Sequence, residues 1–339
     1  MSCGLESRGK SWLGEGAKGF FVSGPYPLPQ STTPNPLSLK AGEVWATGPA
    51  LPGPVKGWEG GLGGGQGPAV PGPPPKVIPH HFTACGLDFG SRFVKLVYGR
   101  REGGGGRRKL DSLIFYRDYL RRDGDHLSLD WERLGLAPPA ALVATGYGKH
   151  LLKEHFPAIT EIRAHFLGAR FQTGLDHFVL LEMGGQDTKV LYVKGGRVFD
   201  FLTNDRCAAG TGRYLENMAR FLKMPLAKFA AAWQDPVEIS QTCAIFGESE
   251  LVGHLLGGVA PRRIAAGINA SVARRAGAMV RRYRCPTLVF AGGVARNQAV
   301  TRLLRESSPF RVVIPPQPQF TGALGCCLEA QRQWSRQEP

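Results

Sequence analysis

Residues 86–91, Gly86-Leu87-Asp88-Phe89-Gly90-Ser91, connect an apolar run to a second one through a glycine turn. Residues 183–188 and 292–297 also end β runs with glycines, as Met183-Gly184-Gly185-Gln186-Asp187-Thr188 and Gly292-Gly293-Val294-Ala295-Arg296-Asn297. Glycine at a strand end lets backbone N–H groups approach phosphate oxygens closely. One such turn is usually ordinary turn chemistry. Three in order, with 95 residues from Gly90 to Gly185 and 108 from Gly185 to Gly293, predict a duplicated β-hairpin ATPase fold with nucleotide in a cleft between two lobes.

The first two turns carry the predicted catalytic residues. Asp88 stands at a strand end, where a carboxylate can hold Mg²⁺ directly or through water. Asp187 can position Mg²⁺ or the attacking water, and Gln186 can orient that water. Backbone groups of the turns and the Ser91 hydroxyl are expected to bind phosphate; the cofactor-binding glycines assigned here are Gly90, Gly184 and Gly185.

The third turn and a later glycine pair complete the predicted nucleotide site. Gly292 and Gly293 precede a helix and permit close packing against a base or sugar, with Asn297 beside them. Gly210 and Gly212 form a Gly-x-Gly that we also assign to nucleotide binding. From residue 82 onward the sequence contains neither a Gly-x-x-x-x-Gly-Lys-Ser/Thr loop nor a complete Gly-x-Gly-x-x-Gly fingerprint, and the matches at residues 4–11 and 14–19 fall in the glycine- and proline-rich first 80 residues, away from any predicted strand.

The hydrophobic pattern predicts an α/β fold. Strands are expected at residues 83–97 (two, joined by the first turn), 141–145, 177–183, 189–193, 287–291 and 311–314. Helices are expected at 160–171, 210–222, 262–282 and 321–333. Residues 100–109 are charged and glycine-rich, which favours a loop at the tip of a hairpin.

The first 80 residues differ from the rest, with 17 of the 46 Gly and 14 of the 26 Pro. Such a segment buries too little apolar surface to offset its ordering entropy, so residues 1–81 are predicted to be a disordered extension. The net charge of +15 is typical of a soluble, Arg-rich protein, and the alternative is a basic face for an acidic partner; zinc-finger and RNA-binding motifs are absent. We expect no nucleic-acid partner, no membrane span and a reducing cytoplasm, because seven irregularly spaced Cys do not form a disulfide framework.

Two cysteines stand apart from the other five. Cys207 precedes a predicted helix N-terminus, where a thiolate is stabilised, and Cys243 follows 36 residues later. A lone cysteine is usually a small buried residue, and two thiolates cannot complete a four-ligand site. Two chains on a two-fold axis could supply four. Spacing alone leaves both interpretations open.

The motifs together resemble a known family. Those that carry the resemblance run in order: Gly86-Leu-Asp-Phe-Gly-Ser, Ala144-Thr-Gly-Tyr-Gly, Gly184-Gly-Gln-Asp, Asn204-Asp-Arg-Cys-Ala-Ala-Gly-Thr-Gly-Arg, Thr242-Cys, Gly292-Gly-Val-Ala-Arg-Asn-Gln and Thr321-Gly-Ala-Leu-Gly. The chain from about residue 84 to 332 is similar to the activator ATPases of 2-hydroxyacyl-CoA dehydratases and to the ATPase subunits of benzoyl-CoA reductase.

The resemblance implies an actin-like fold with two lobes of duplicated ribonuclease-H-like structure. The first lobe spans about 82–180 plus the C-terminal helix, and the second about 181–320. It also implies a homodimer with one 4Fe-4S cluster at the subunit interface, held by Cys207 and Cys243 of each chain. Ferredoxin or flavodoxin loads an electron, and ATP with Mg²⁺ drives it onto a dehydratase or reductase partner.

Two alternatives stay open, and one departure from the family favours the first of them. The family's hydroxyl-rich stretch after the first turn is here Ser91-Arg92-Phe93-Val94-Lys95, which removes hydroxyls near the terminal phosphate. A nucleotide-binding regulatory module without turnover would tolerate that loss. A small-molecule kinase of the same superfamily, with structural cysteines, is the other alternative.

Overall fold

The structure is a computed structural model that describes residues 84–99, 105–124, 126–147, 156–204, 211–240, 244–307 and 309–336. The predicted extension, residues 1–81, lies outside the described residues, and so do Cys207, Gly210 and Cys243.

The first sheet has four strands in the order β3-β2-β1-β6. Its strands are β1 (Ala84–Phe89), β2 (Phe93–Gly99), β3 (Gly105–Asp111) and β6 (Ala141–Gly146). β1 is antiparallel to β2 and parallel to β6. A short helix, α1 (Ser112–Asp118), follows β3, and β4 (Leu120–Asp123) pairs with β5 (His126–Leu129) in a separate ribbon.

The second sheet repeats the hairpin arrangement. Its five strands are β7 (Phe178–Met183), β8 (Thr188–Lys194), β9 (Arg197–Asn204), β10 (Thr287–Gly292) and β11 (Arg311–Val313), in the order β11-β10-β7-β8-β9. β7 is antiparallel to β8 and parallel to β10, as β1 is to β2 and β6. β1, β7 and β10 each lie between two neighbouring strands, and they are buried along their whole length.

Seven further helices cover these sheets: α2 (Glu161–Thr173), α3 (Gly212–Phe221), α4 (Leu226–Ala230), α5 (Ala244–Leu256), α6 (Pro261–Val280), α7 (Gln298–Ser307) and α8 (Thr321–Trp334). Thr160 caps the start of α2, and Gly174 ends it with φ 67°. The last helix returns to the first sheet, where Ala323, Cys326 and Cys327 share a core with Ala84 and Val97. The chain therefore forms the first sheet, then the second, and its last helix packs against the first sheet.

The predicted strands and helices within the described part are confirmed to within a few residues at their ends. The loop predicted for residues 100–109 is wrong from Gly105 onward, because Gly105–Asp111 pairs residue by residue with β2. β3 is at the edge of the sheet, and an edge strand does not need an apolar outer face. Its charged residues and glycines therefore predicted a loop instead of a strand. The sequence pattern also missed α1, β4, β5, β9, α4, α5 and α7.

Candidate active site

The two hairpins place an acidic residue and a lysine at matching positions. On the first sheet Asp88 of β1 lies opposite Lys95 of β2. On the second, Glu182 of β7 lies opposite Lys189 of β8. The acid and the lysine are seven positions apart in both hairpins, and the side chains of directly opposed residues point to the same face. The structural counterpart of Asp88 is therefore Glu182.

In the first hairpin the pair is closed. Lys95 Nζ donates to Asp88 Oδ2 at 2.7 Å; the Asp88 side chain is buried and that of Lys95 is partly buried. Burial by itself raises the pKa of Asp88, but the charge and hydrogen bond of Lys95 outweigh it, so the pKa lies below its usual value. Burial likewise opposes the charged form of Lys95, and Asp88 overcomes it and raises the pKa of the lysine. The pair is ionised and self-neutralised.

In the second hairpin the lysine turns away from its cross-strand partner. Lys189 Nζ lies 2.6 Å from Glu161 Oε2 of α2 and 2.5 Å from Asp187 Oδ2, but 3.8 Å from Glu182 Oε2. Burial lowers the pKa of Lys189, and the three carboxylates reverse that effect and raise it. Three carboxylates thus surround one ammonium group.

One oxygen of Glu182, Oε2, is buried and is left without a hydrogen bond among the described residues. Burial raises the pKa of Glu182 to about 7, with Lys189 opposing the shift. His165 Nε2 lies 4.0 Å away, but burial lowers the pKa of His165 to about 4, so the imidazole is neutral and does not balance the carboxylate. The other ring nitrogen, Nδ1, bonds the Thr321 hydroxyl at 2.8 Å.

The third glycine turn lies against the same carboxylate. Gly292 ends β10 with φ 87°, and a Cβ there would come within 2.3 Å of the Met183 carbonyl oxygen and 2.7 Å of Glu182 Oε1. Only glycine fits, because both the backbone angle and the space exclude a side chain. Gly293 follows it in a short 3-10 turn.

Asn297, which ends that turn, is buried. Its Nδ2 donates to Asn269 Oδ1 at 3.0 Å, and its Oδ1 accepts from the Val300 N–H at 2.9 Å, which caps α7. The side chain therefore holds the turn in place, and a contact with nucleotide remains a prediction.

The first two glycine turns meet across the two sheets. A Cβ on Gly185 would lie 3.0 Å from Arg92 Cβ and 3.4 Å from Ser91 Oγ. Arg92 reaches further, with its Nε donating to Glu216 Oε2 of α3 at 3.1 Å and its Nη1 bonding Asp111. The arginine that stands in place of a hydroxyl residue therefore links the first sheet to α3.

The start of α3 is bonded to both turns. The Gly212 and Arg213 N–H groups donate to the carbonyl oxygens of Gly184 and Gly185 at 2.9 and 3.0 Å. Arg213 Nη2 donates to the Ser91 carbonyl oxygen at 2.7 Å. Cys207 precedes Gly212 by five positions in the sequence.

The structure brings most of the predicted residues together where the three turns and the start of α3 meet. Gathered there are the three turns, with Asp88, Gly90, Ser91, Gly184, Gly185, Gln186, Asp187, Gly212, Gly292 and Gly293. Gln186 is exposed at the tip of its turn, and Asp187 is partly exposed, so both face outward from the sheet. The sequence analysis missed Glu182, Lys95, Lys189 and His165. The repeat of an acid, a glycine two positions later and a lysine seven positions later could have revealed the first three.

The carboxylates of the cleft have the oxygen donors that Mg²⁺ prefers. Asp88 and Asp187 each accept from a lysine, so a cation at either one competes with that lysine. Among the described residues, no group of three or more His, Cys, Asp or Glu is arranged to hold a metal ion.

The described cysteines do not fit a ligand role. Cys85, Cys285, Cys326 and Cys327 are all buried, as predicted for structural residues. Burial raises the pKa of Cys85 and Cys326 well above the usual value, and that of Cys327 to about 12. Because only thiolates ligate metals readily, these three thiols are unsuited to a cluster.

Comparison with known proteins identifies the fold and the family. Residues 123–330 match the model of the BadF/BadG/BcrA/BcrD ATPase family. The chain belongs to this family. The resemblance predicted from the motifs, the actin-like α/β fold and the capacity to bind ATP are thereby confirmed.

Three similar proteins show the extent of the likeness. The (R)-2-hydroxyglutaryl-CoA dehydratase activating ATPase of Acidaminococcus fermentans is 39% identical over 196 residues, 56% of this chain and 75% of that protein. A benzoyl-CoA reductase subunit of Thauera aromatica is 26% identical over 265 residues, 72% of this chain and 91% of that one. The solved activator of 2-hydroxyisocaproyl-CoA dehydratase from Clostridium difficile, with bound ADPNP, is 32% identical with a TM-score of 0.65, covering 76% of this chain and 96% of that chain.

No helix in the described part of the chain is both long enough and apolar enough to cross a membrane.

Proposed function

We propose that this protein is an ATP-dependent electron-transfer activator that works as a homodimer with one 4Fe-4S cluster at its subunit interface. Cys207 and Cys243 of each chain hold the cluster. Its partner is a 2-hydroxyacyl-CoA dehydratase or a benzoyl-CoA reductase-like enzyme, and ferredoxin or flavodoxin donates the electron. The reaction takes place in the cytoplasm. The proposal rests on membership of a family whose relatives include activators of such dehydratases.

The observation that carries the proposal is the anchoring of α3. Its first turn is bonded to both phosphate-type turns, through Gly184, Gly185 and Ser91, and Cys207 stands five positions before it. A nucleotide that changes the distance between these turns acts directly on the helix that follows the cysteine. This connection gives ATP a mechanical route to a cluster ligand.

The cysteine inventory also supports the assignment. Cys85, Cys326 and Cys327 are buried with raised pKa values, so these three do not compete with Cys207 and Cys243 for the ligand role. When bound, the cluster would supply one-electron storage. The chain's own part is to bind ATP at the three turns and to hold Asp187 and Gln186 where the attacking water is oriented.

Anaerobic purification tests the proposal. We expect a brown dimer with about four iron and four sulfide per dimer. Cys207→Ser should lose iron and colour but still bind ATP, because the nucleotide turns do not include it. The matched control is Cys285→Ser. Cys285 is buried, and its thiol donates to the carbonyl oxygen of Thr287, two positions later in the chain. A Cys207→Ser protein that keeps its iron contradicts the ligand assignment.

A nucleotide-binding regulatory role without turnover is the second candidate, favoured by one observation. Arg92 occupies the place of a hydroxyl residue, and its guanidinium group bonds Glu216 and Asp111. Measurement of ATP hydrolysis by the iron-loaded dimer separates the two candidates. Turnover that falls strongly in Asp187→Ala supports the activator, whereas nucleotide binding without any turnover supports the regulatory module.

A further inference from the structure

Three carboxylates lie near the ammonium group of Lys189, but only two of them are at hydrogen-bonding distance. Its Nζ lies at hydrogen-bonding distance from Glu161 and Asp187, and at 3.8 Å from the third, Glu182. An ammonium group has three donors and can serve three acceptors at once or in turn. A buried carboxylate oxygen without a hydrogen bond is costly, so the gap between Lys189 and Glu182 needs an explanation.

The first hairpin shows what the closed pair looks like. Lys95, the counterpart of Lys189, bonds Asp88, the counterpart of Glu182, at 2.7 Å. The two hairpins have the same register, so backbone position does not prevent Lys189 from making the equivalent contact. Asp187 holds Lys189 away, at 2.5 Å, and the first hairpin has Phe93 at the position that corresponds to Asp187.

We infer that Lys189 exchanges Asp187 for Glu182 when the phosphates of a nucleotide occupy the cleft, and that Glu182 is the positioning residue that receives it. The inference rests on the proposed function only in requiring that the cleft binds and hydrolyses ATP.

The exchange needs a small movement. Bringing Nζ from 3.8 Å to a hydrogen-bonding distance from Oε2 takes a shift of about 1 Å, which a flexible four-carbon stem accommodates. Glu161 lies 2.6 Å from Nζ and can keep its contact during the shift. The groups that face Glu182 are Lys189 and Asp187 on its own hairpin, His165 of α2, and Lys95 and Asp88 of the first sheet.

The exchange has a functional consequence for Asp187. In the present arrangement the lysine neutralises this carboxylate, which is the more exposed of the two that Lys189 can choose between. Once released, Asp187 has both oxygens available for a cation or for the attacking water. Glu182 thus provides a buried place for the lysine while Asp187 acts at the surface of the cleft.

A direct test compares crystal structures of the full chain with and without a non-hydrolysable ATP analogue and Mg²⁺. With the analogue bound, we expect Lys189 Nζ within about 3.2 Å of Glu182 Oε2 and beyond about 3.5 Å from Asp187. A lysine that stays on Asp187 with the analogue in the cleft overturns the inference.

A kinetic test uses a matched pair of neutralised carboxylates on the same lysine. Glu182→Gln should lower kcat for ATP hydrolysis about tenfold or more while KM changes less than about twofold, because ATP still binds but Asp187 stays occupied. Glu182→Asp should restore part of kcat. The control is Glu161→Gln, which removes the carboxylate that Lys189 keeps in both positions and should change kcat less than about threefold.

The outcomes separate this inference from the proposed function. Equal losses in Glu182→Gln and Glu161→Gln, or a loss that appears only in KM, show a merely structural role and overturn the inference. Thermal unfolding without nucleotide identifies any variant that fails to fold. Wild-type protein that never hydrolyses ATP defeats the proposed function, whereas normal turnover with an unaffected Glu182→Gln defeats this inference alone.

Discussion

The two hairpins of this protein are alike in backbone and different in charge. In each, an acid on the first strand lies opposite a lysine on the second, seven positions later. The first pair, Asp88 and Lys95, closes on itself. In the second, Lys189 contacts two other carboxylates, and Glu182 Oε2 has no hydrogen bond among the described residues. Duplication of a fold thus preserves positions, whereas neighbouring residues decide which ion pairs form.

The largest expected difference between the hairpins lies in their lysines. Lys189→Met leaves Glu161, Asp187 and Glu182 together without a cation, so we expect it to lower the free energy of unfolding by about 3–5 kcal/mol. Lys95→Met leaves the single carboxylate of Asp88 and should cost less. Urea denaturation of both variants at pH 7.5 measures this order, and an equal or larger loss in Lys95→Met contradicts the comparison.

The next difference concerns pH. The native pKa of Glu182 is about 7, above its ordinary value near 4.5, so the folded protein binds this proton more tightly than the unfolded chain. Stability from this residue therefore falls as pH rises from about 4.5 to 7. Glu182→Gln removes that fall, and relative to wild type it should gain about 2–3 kcal/mol between pH 4.5 and 8.

Denaturation curves of both proteins across this pH range provide the measurement for Glu182→Gln. His165, with a pKa of about 4, titrates in both proteins and cancels in the difference. Parallel stability profiles for wild type and variant would show that Glu182 is ionised normally.

A smaller effect is expected at the matching glycines of the turns. A Cβ at Gly90 would lie 2.7 Å from the Phe93 carbonyl oxygen, whereas one at Gly184 would meet its nearest atom, Asp187 Oδ1, at 3.3 Å. Gly90→Ala should therefore destabilise the protein by about 1–3 kcal/mol, and Gly184→Ala by less than about 1 kcal/mol. Thermal unfolding of the two alanine variants, without nucleotide, tests whether the first turn is the tighter one.

The smallest expected effect is at the tips of the turns, where Arg92 in the first corresponds to Gln186 in the second. Arg92→Gln makes the tips alike and removes the bonds to Glu216 and Asp111. Because these side chains are about a third exposed, solvent screening limits the loss of stability to less than about 1 kcal/mol. A loss above about 2 kcal/mol would mean that the link between the first sheet and α3 is much stronger than its exposure indicates.

Much of this site could be predicted from the sequence, because glycine turns after apolar runs have few structural alternatives. The motif around Asp88 and the Gly184-Gly185 turn located the cleft. The role of Glu182 could not be predicted in the same way, since an acid inside an apolar run gives no indication of its partner. The absence of a hydrogen bond from any described residue to its Oε2 depends on Glu161, a residue 21 positions earlier on α2, which only the tertiary structure brings to Lys189. Likewise, the charged residues of β3 did not predict a strand, and only the structure shows that it pairs with β2.

The anchoring of α3 has a geometric consequence. Its first turn is fixed to the second sheet by two backbone hydrogen bonds, from Gly212 and Arg213, and to the first sheet by one side-chain bond, from Arg213 to Ser91. A helix held at two points on separate supports cannot stay still when the supports move apart. A change in the distance between the turns must either break the two arginine contacts, Arg213 to Ser91 and Arg92 to Glu216, or tilt the helix axis. With the contacts kept, a displacement of about 1 Å at the turns becomes a larger one at the far end of the 10-residue helix, about 15 Å away.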